Sequence, residues 1–181
     1  MLLTGCSGSG KSTLIAEMAR RGWPVVAEPG RRVIEAERAA GGDALPWRDM
    51  SAFLRACDAL AAADLAAGGP AVRLCDRGRL DARLGLFRLG LAREPGPAIL
   101  DGYARPVTLA APWPALFARD GDRRHDFDAA VVEHDHIAGW LARHGVPVLH
   151  LPQAPVAARA AWWEAALAEA GFGPGPPPAV V

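Results

Sequence analysis

Short apolar runs alternate along the chain with longer stretches in which apolar residues recur at helical spacing, and glycine or proline separates them. This alternation is typical of β-α units that build a parallel sheet. The apolar runs predict five strands, at residues 1–4, 25–27, 71–75, 107–110 and 146–151. We therefore expect an α/β fold, and the sequence shows no internal repeat.

Amphipathic patterns place helices between these strands. The first helix should run from residue 11 to about residue 21. Two further helices should pack against the sheet through Phe53, Cys57, Leu60, Ala61 and Leu65 in one and Phe127, Val131, His134, Ala138 and Leu141 in the other. Val156, Ala160, Trp163 and Leu167 mark a last helix. Because residues 171–181 are rich in proline and glycine, we expect one domain over residues 1–170 and a flexible tail after it.

Residues 5–12 read GCSGSGKS and match the pattern G-x-x-x-x-G-K-[ST] between a predicted strand and a predicted helix. Glycines let such a loop curl so that its backbone N–H groups face one point, where the following helix adds its positive end. Lys11 would then reach the β- and γ-phosphates of ATP, and Ser12 would offer its hydroxyl to Mg²⁺. The residues expected to bind the nucleotide here are Gly5, Cys6, Ser7, Gly8, Ser9, Gly10, Lys11, Ser12 and Thr13.

Composition narrows the class of nucleotide-binding protein. Twenty basic and twenty acidic residues cancel, so the net charge predicts neither a nucleic-acid partner nor a membrane partner. Lys11 is the only lysine and asparagine is absent, which excludes the Asn-Lys-x-Asp motif with which GTPases read guanine. The Leu-Ser-Gly-Gly-Gln motif of ABC ATPases is also absent. Helicase-like and AAA+ ATPases carry Asp-Glu after the third strand, whereas Asp76 is followed by Arg77.

Cysteine content and the amino-terminal residues predict the compartment. Cys6, Cys57 and Cys75 are widely spaced and form no Cys-x-x-Cys pair, so neither a disulfide framework nor a zinc knuckle is indicated. The apolar start is too short for a signal peptide, and no later stretch approaches the length of a membrane span. We therefore expect a soluble, cytoplasmic protein.

Several short motifs carry a family resemblance. The Asp76-Arg77-Gly78 segment after an apolar strand resembles the nucleotide and nucleoside kinases. It is accompanied by Glu28-Pro29-Gly30-Arg31, Asp81, Pro112-Trp113-Pro114 and the acidic and basic segment at residues 120–124. Over residues 1 to about 170 the chain resembles a small predicted-ATPase family of kinase-like P-loop proteins, which is similar to the ribosylnicotinamide kinase domain of an NAD-biosynthesis regulator. This resemblance implies a P-loop NTPase three-layer sandwich with a five-stranded parallel sheet ordered 2-3-1-4-5, ligands at the carboxyl ends of the strands and a small lid at about residues 117–128.

Charged residues at the predicted strand ends are the candidates for chemistry. Asp76 should assist Ser12 in holding Mg²⁺, because a metal that bridges two phosphates needs anionic help beyond one hydroxyl. Glu28, by its likeness to the matching carboxylate of deoxynucleoside kinases, would be the general base for the acceptor hydroxyl or would only position the acceptor. Arg77 and Asp81 would line the acceptor pocket, with Arg77 positioned as a catalytic residue for the transferring phosphoryl charge or for an anionic substrate. Alternatively the two would form a structural ion pair.

Other charged or aromatic residues have weaker signals. Arg123 and Arg124 occupy the lid position, where guanidinium groups would contact the ATP phosphates, and Arg119 fits that position less well. Arg31 and Arg32 could reach an anionic acceptor, and Trp47 could cover it. In Glu133-His134-Asp135-His136 the two histidines point away from each other on a helix, which favours a packed and a solvated histidine over a metal site.

These observations predict a small-molecule kinase that transfers the γ-phosphoryl group of ATP-Mg²⁺ to a hydroxyl of a nucleoside-like or other small metabolite. The alternatives are an ATPase or nucleotide-dependent switch that acts on a protein partner, and a binding module without turnover. The acceptor pocket should be built from loops at residues 47–53 and 76–87. Oligomeric state is left open, although Trp162, which lies off its helix's apolar stripe, could mark a contact surface.

Overall fold

Five parallel strands form one sheet in the computed structural model, which describes residues 1–69, 72–117 and 126–174. The strands are β1 (Leu2–Gly5), β2 (Val25–Val26), β3 (Leu74–Asp76), β4 (Val107–Ala110) and β5 (Val148–Leu151). Their order across the sheet is β2-β3-β1-β4-β5, with every neighbouring pair parallel. This α/β architecture is a P-loop NTPase fold, and it confirms the predicted fold class and strand order.

Six α-helices connect and cover the strands in the described residues: α1 (Lys11–Arg20), α2 (Pro29–Ala40), α3 (Met50–Ala66), α4 (Arg79–Arg88), α5 (Phe127–Arg143) and α6 (Val156–Glu169). Two 3₁₀ turns lie at Pro97–Leu100 and Pro114–Leu116. None of the helices in these residues has the length and apolarity needed to cross a lipid bilayer.

Both faces of the sheet are buried, as expected for a parallel sheet covered by helices. Consecutive residues of β1 point to opposite faces because side chains alternate along a strand. Leu3 packs in one apolar cluster with side chains of α1 and α6, including Leu14 and Trp163. Leu2 packs in a second cluster with side chains of α4 and α5, such as Leu80 and Trp140. The buried sheet thus fixes where β1, and the loop that follows it, must lie.

The segment at residues 76–87, expected as a loop, is mostly helical, because α4 occupies Arg79–Arg88. In α4 the buried residues are Leu80, Ala82, Leu84 and Leu86. Leu80 and Leu84 pack toward the sheet, whereas Ala82 packs with Val33 and Cys57 of α2 and α3. A helix buried on two sides shows no single apolar stripe, which is why the expected loop was wrong. The other expected loop, at residues 47–53, is shorter than predicted, because α3 begins at Met50.

Two packing predictions differ from the structure. The buried residues of α5 are Ala130, Ile137, Trp140 and Leu141, so its core face is rotated from the predicted stripe. The indole of Trp140 can be buried there because its Nε1 donates to the Pro95 carbonyl at 2.8 Å. The helix α3 packs mainly on α2 and α4 and less on the sheet. Trp162 is partly buried against the cluster of α1 and α6, so its indole contributes to packing within the chain.

Candidate functional site

The loop between β1 and α1 passes close to the end of β4. Gly5, Gly8 and Gly10 have φ angles of 109°, 79° and 75°, in the left-handed region that favours glycine. A Cβ on Gly5 would lie 2.3 Å from the Ala110 carbonyl oxygen, so only glycine fits there. The loop is closed by hydrogen bonds from the Cys6 N–H to Ala110 O at 2.9 Å and from Ser9 Oγ to Cys6 O at 2.8 Å. The motif identified from the sequence therefore forms a tight, glycine-dependent loop.

The amino-terminal end of α1 is suited to an anion. Among the described residues no side chain caps this helix, and its first turn contains no acidic residue. The first N–H groups of a helix lack intrahelical partners and carry the positive end of the helix dipole. A phosphate oxygen at this position would accept hydrogen bonds from these N–H groups and would also interact favourably with the positive end of the dipole.

Lys11 is 5% exposed, and its Nζ donates to the carbonyl oxygens of Cys6 at 2.6 Å and Gly5 at 3.3 Å. Burial lowers the pKa of this lysine, and the nearby Arg77 lowers it further. An ammonium group held only by neutral carbonyls in a buried site gains strongly from an anion placed beside it.

Ser12 and Asp76 form the second part of the site. Ser12 Oγ donates to Asp76 Oδ2 at 2.7 Å, and Asp76 is 2% exposed. Within the described residues the other oxygen, Oδ1, is buried without a hydrogen-bond partner. Burial raises the pKa of Asp76. A hydroxyl beside a carboxylate with an unsatisfied oxygen fits the hard oxygen ligands that Mg²⁺ prefers, so these two residues would hold such an ion.

Arg77 lies directly after Asp76 and is surrounded by carboxylates. Its Nη1 donates to Asp81 and to Glu133, both at 2.8 Å, and its Nε lies 3.3 Å from Glu28 Oε1. Burial by itself would lower the pKa of Arg77, but the three carboxylates raise it well above its usual value. Its backbone has a φ of 61°, an uncommon conformation for a non-glycine residue. The guanidinium group therefore holds three acidic side chains from three different elements in one place.

Asp81 contacts both Arg77 and the cavity. It forms the ion pair with Arg77 and also lines the cavity described below. In addition it accepts hydrogen bonds from Thr4 Oγ1 at 2.6 Å and from the Gly78 N–H at 3.0 Å. Asp81 thus ties the start of α4 to β1 and to Arg77.

A cavity of about 800 Å³ joins these groups. One end is lined by Ser7, Gly8, Gly10, Lys11, Ser12 and Thr13 of the loop. Glu28, Arg31, Arg77, Asp81 and Glu133 lie along the cavity, and the far end has mainly apolar walls from α2, α3 and α4, among them Ile34, Met50, Phe53, Leu54 and Ala82. Gly5, Cys6 and Ser9 are buried behind the loop surface. Most of the predicted site residues therefore meet around one space.

Some candidates lie elsewhere. Arg32 pairs with Asp64 of α3 at 2.6 Å, and Trp47 packs under the guanidinium of Arg38 at 5.1 Å. His134 pairs with its neighbour Asp135 at 2.9 Å. Across the described residues no group of three or more His, Cys, Asp or Glu side chains is arranged to hold a metal ion. Arg119, Arg123, Arg124 and most of the expected lid lie outside those residues, as do residues 175–181 of the expected tail.

The residues that line the cavity but that the sequence did not place there include two with charged contacts in the site, Glu133 and Arg159. Glu133 lies one helical turn from both Ala130 and Ile137, so the correct phase of α5 would have placed it on the side facing the sheet. Arg159 is 3% exposed and lies next to Ala160 on the buried face of α6. A charged residue on an otherwise apolar helical face was the signal for it.

A family model described as an AAA domain matches residues 1–159 of this chain. No curated protein matches it. The similarity to the ribosylnicotinamide kinase domain therefore stays a prediction. With a matched stretch that covers most of the 181 residues, and with a phosphate loop on a 2-3-1-4-5 sheet, the chain belongs to this AAA-domain family of nucleotide-binding P-loop NTPases.

Proposed function

We propose that the protein is a kinase that transfers the γ-phosphoryl group of ATP to a hydroxyl group of a small molecule. The observation that carries this proposal is the lining of the cavity of about 800 Å³, which combines phosphate-loop residues and Glu28 with apolar side chains of α2, α3 and α4. An ATPase that uses only water needs no second compartment. A kinase needs one for its acceptor, because transfer requires both reactants to be held in line.

The loop would bind the phosphates through its backbone and through Lys11. In the structure Lys11 Nζ donates to the Cys6 and Gly5 carbonyls. A phosphate chain in the loop would offer charged oxygens in place of these neutral acceptors, and hydrogen bonds between charged groups are about twice as strong as neutral ones. Lys11 would therefore move to the phosphates when the nucleotide binds.

Ser12 and Asp76 fit a Mg²⁺ ion, which when bound would neutralise phosphate charge that develops during transfer. Ser12 Oγ lies on the cavity side, and Asp76 is buried behind it at 2.7 Å. Asp76 thus orients the Ser12 hydroxyl and adds negative charge at the end of β3. The nucleotide and acceptor are the proposed small-molecule partners.

Glu28 is the proposed general base. It lines the cavity together with the loop and the apolar side chains of α2, α3 and α4, with its carboxylate 3.3 Å from Arg77 and 3.4 Å from Arg31. A carboxylate at this position would accept the proton of the acceptor hydroxyl as its oxygen bonds to the γ-phosphorus and the bond to ADP breaks. If Glu28 only positions the acceptor, its loss would raise KM more than it lowers kcat.

Arg77 is proposed to position Glu28. Its guanidinium contacts the carboxylates of Glu28, Asp81 and Glu133 in the structure. A fixed guanidinium would hold the Glu28 carboxylate at one place. Arg31, which also contacts Glu28 and lines the cavity, would contribute to acceptor binding.

The test is transfer of label from γ-labelled ATP in the presence of Mg²⁺ and a pool of small metabolites. We expect label in a small molecule, with transfer reduced about 100-fold or more in Glu28→Gln because general-base catalysis contributes on that scale. Label that appears only as free phosphate, at the same rate with and without the pool, would favour the ATPase or switch. Glu35→Gln on the same helix is a matched control, since it removes one exposed carboxylate of α2.

A further inference from the structure

Arg159 is a buried cation that contacts the phosphate loop from α6. It is 3% exposed and lines the cavity. Its Nη1 donates to the Ser9 carbonyl at 3.0 Å, and its guanidinium carbon lies 5.3 Å from the centre of the Trp113 ring. Its Nη2 would be 2.9 Å from a Cβ on Gly10, so the guanidinium lies directly against the loop.

In the part of the chain that the structure describes, no carboxylate pairs with Arg159, and its Nε is buried without a hydrogen-bond partner. Burial lowers the pKa of Arg159, and no carboxylate opposes that effect. Arginine nevertheless stays protonated in proteins. The indole face and one carbonyl compensate its charge only in part, and a buried charge without a counterion is unfavourable.

The bond to Ser9 also sets the direction of the loop backbone. In a trans peptide the C=O and the following N–H point in opposite directions. Because the Ser9 carbonyl points to Arg159, the Gly10 N–H points away from α6. Gly10 precedes Lys11 at the start of α1, so this N–H belongs to the group of donors suited to an anion.

We propose that Arg159 is a nucleotide-binding residue whose missing counter-charge is the phosphate chain of a nucleoside di- or triphosphate held in the loop. The inference rests on the proposed nucleotide site, but it does not depend on whether the acceptor is a small molecule or water. The bound phosphates would lie close to the guanidinium in a site with little water, where attraction between opposite charges is strong. Arg159 also keeps the Ser9–Gly10 peptide in the orientation that receives them.

The test measures binding and stability separately in Arg159→Met, which keeps a long side chain without the charge. We expect its affinity for ADP and for inorganic tripolyphosphate to fall about tenfold or more in calorimetry. The melting temperature of the ligand-free protein should stay the same or rise, because replacing an uncompensated buried charge by an apolar side chain of similar size is often neutral or stabilising. Arg159→Lys should retain part of the affinity.

Arg143→Met is the matched control, because it removes an arginine of α5 that is 60% exposed and paired with Glu94. This variant should bind ADP and inorganic tripolyphosphate with the affinities of the parent protein. A purely structural role for Arg159 predicts the opposite result, a lower melting temperature with unchanged affinity for both probes, and that result would overturn the inference. Absence of ADP binding by the parent protein would instead contradict the proposed nucleotide site itself.

Discussion

Two buried cations, Lys11 and Arg159, contact the phosphate loop at the scale of single residues. Both donate to loop carbonyls, Lys11 to Gly5 and Cys6 and Arg159 to Ser9. Neither forms an ion pair within the described residues that would compensate its charge fully, although Asp76 acts on Lys11 at longer range. The loop is therefore prepared for an anion by charge as well as by backbone geometry.

Lys11→Met should abolish most nucleotide binding while the fold is retained. The ammonium group has only neutral carbonyl acceptors in the structure, so its loss removes little native stability. With phosphate bound, the same group makes charged hydrogen bonds, and their loss should weaken ADP binding by about 2–3 kcal/mol, or about 100-fold. Calorimetry with ADP and a urea unfolding curve measure the two quantities. The control is Arg20→Met, on α1 but 74% exposed; parental affinity in Lys11→Met would contradict the loop assignment.

At the scale of secondary-structure elements, the sequence predicted the features that depend on short motifs and on local hydrophobic patterns. The phosphate loop was identifiable because its chemistry requires glycines and Lys11 at fixed spacing, and the matching strand order followed from the family resemblance. The helix α4 was missed because its residues are buried on two sides. Glu133 and Arg159 were missed because they reach the cavity through the packing of α5 and α6, which depends on helical phase and on contacts distant in sequence.

Glu133 joins α5 to the end of β3 through Arg77. Both carboxylate oxygens accept from the guanidinium, at 2.8 and 3.3 Å, and the Arg77 side chain is only 12% exposed. We expect Glu133→Ala to lower the free energy of unfolding by about 1–3 kcal/mol, because it leaves part of a buried charge network unsatisfied. Urea unfolding measures this. Asp135→Ala on the same helix is the control, since that side chain is 69% exposed. Equal losses of unfolding free energy in the two variants would show that the contact between Glu133 and Arg77 does not stabilise the fold.

At the scale of the whole molecule, the cavity lies where three layers meet. The loop follows the central strand β1, Arg77 and Asp81 come from the end of β3 and the start of α4, and the apolar walls come from α2, α3 and α4. This position agrees with the general rule that open α/β sheets bind ligands at the carboxyl ends of their strands. The compartment beyond Glu28 also contains Cys57, a buried thiol of α3. The burial of this thiol therefore affects how the protein responds to alkali.

Stability should fall as the pH rises above about 9, in part through Cys57 and Tyr103. Burial raises the pKa of Cys57 from 9.0 to about 12, and burial also raises the pKa of Tyr103. An acid whose pKa is higher in the folded state stabilises the fold fully below its unfolded pKa, and that contribution declines as the pH rises toward the folded value. Between pH 9 and about 12 the unfolded chain loses the Cys57 proton while the folded chain keeps it. Each such group lowers the free energy of unfolding by up to about 1.4 kcal/mol per pH unit.

Burial lowers the pKa of Lys11, so this residue makes the stability rise with pH, opposite to the effect of Cys57. The informative measurement therefore compares the stability of a variant with that of the parent at each pH. In urea unfolding at pH 8, 9, 10 and 11, Cys57→Ala should start from a lower stability, because a buried side chain is truncated, and should then lose stability less steeply than the parent. The two curves should converge as the pH rises, since only the parent has a thiol to ionise at this position. Parallel curves across the whole range would mean that the Cys57 thiol ionises equally in the folded and unfolded chains. The part of the cavity around Cys57 would then admit water as freely as the unfolded chain does, which would contradict the apolar space that the proposed kinase requires.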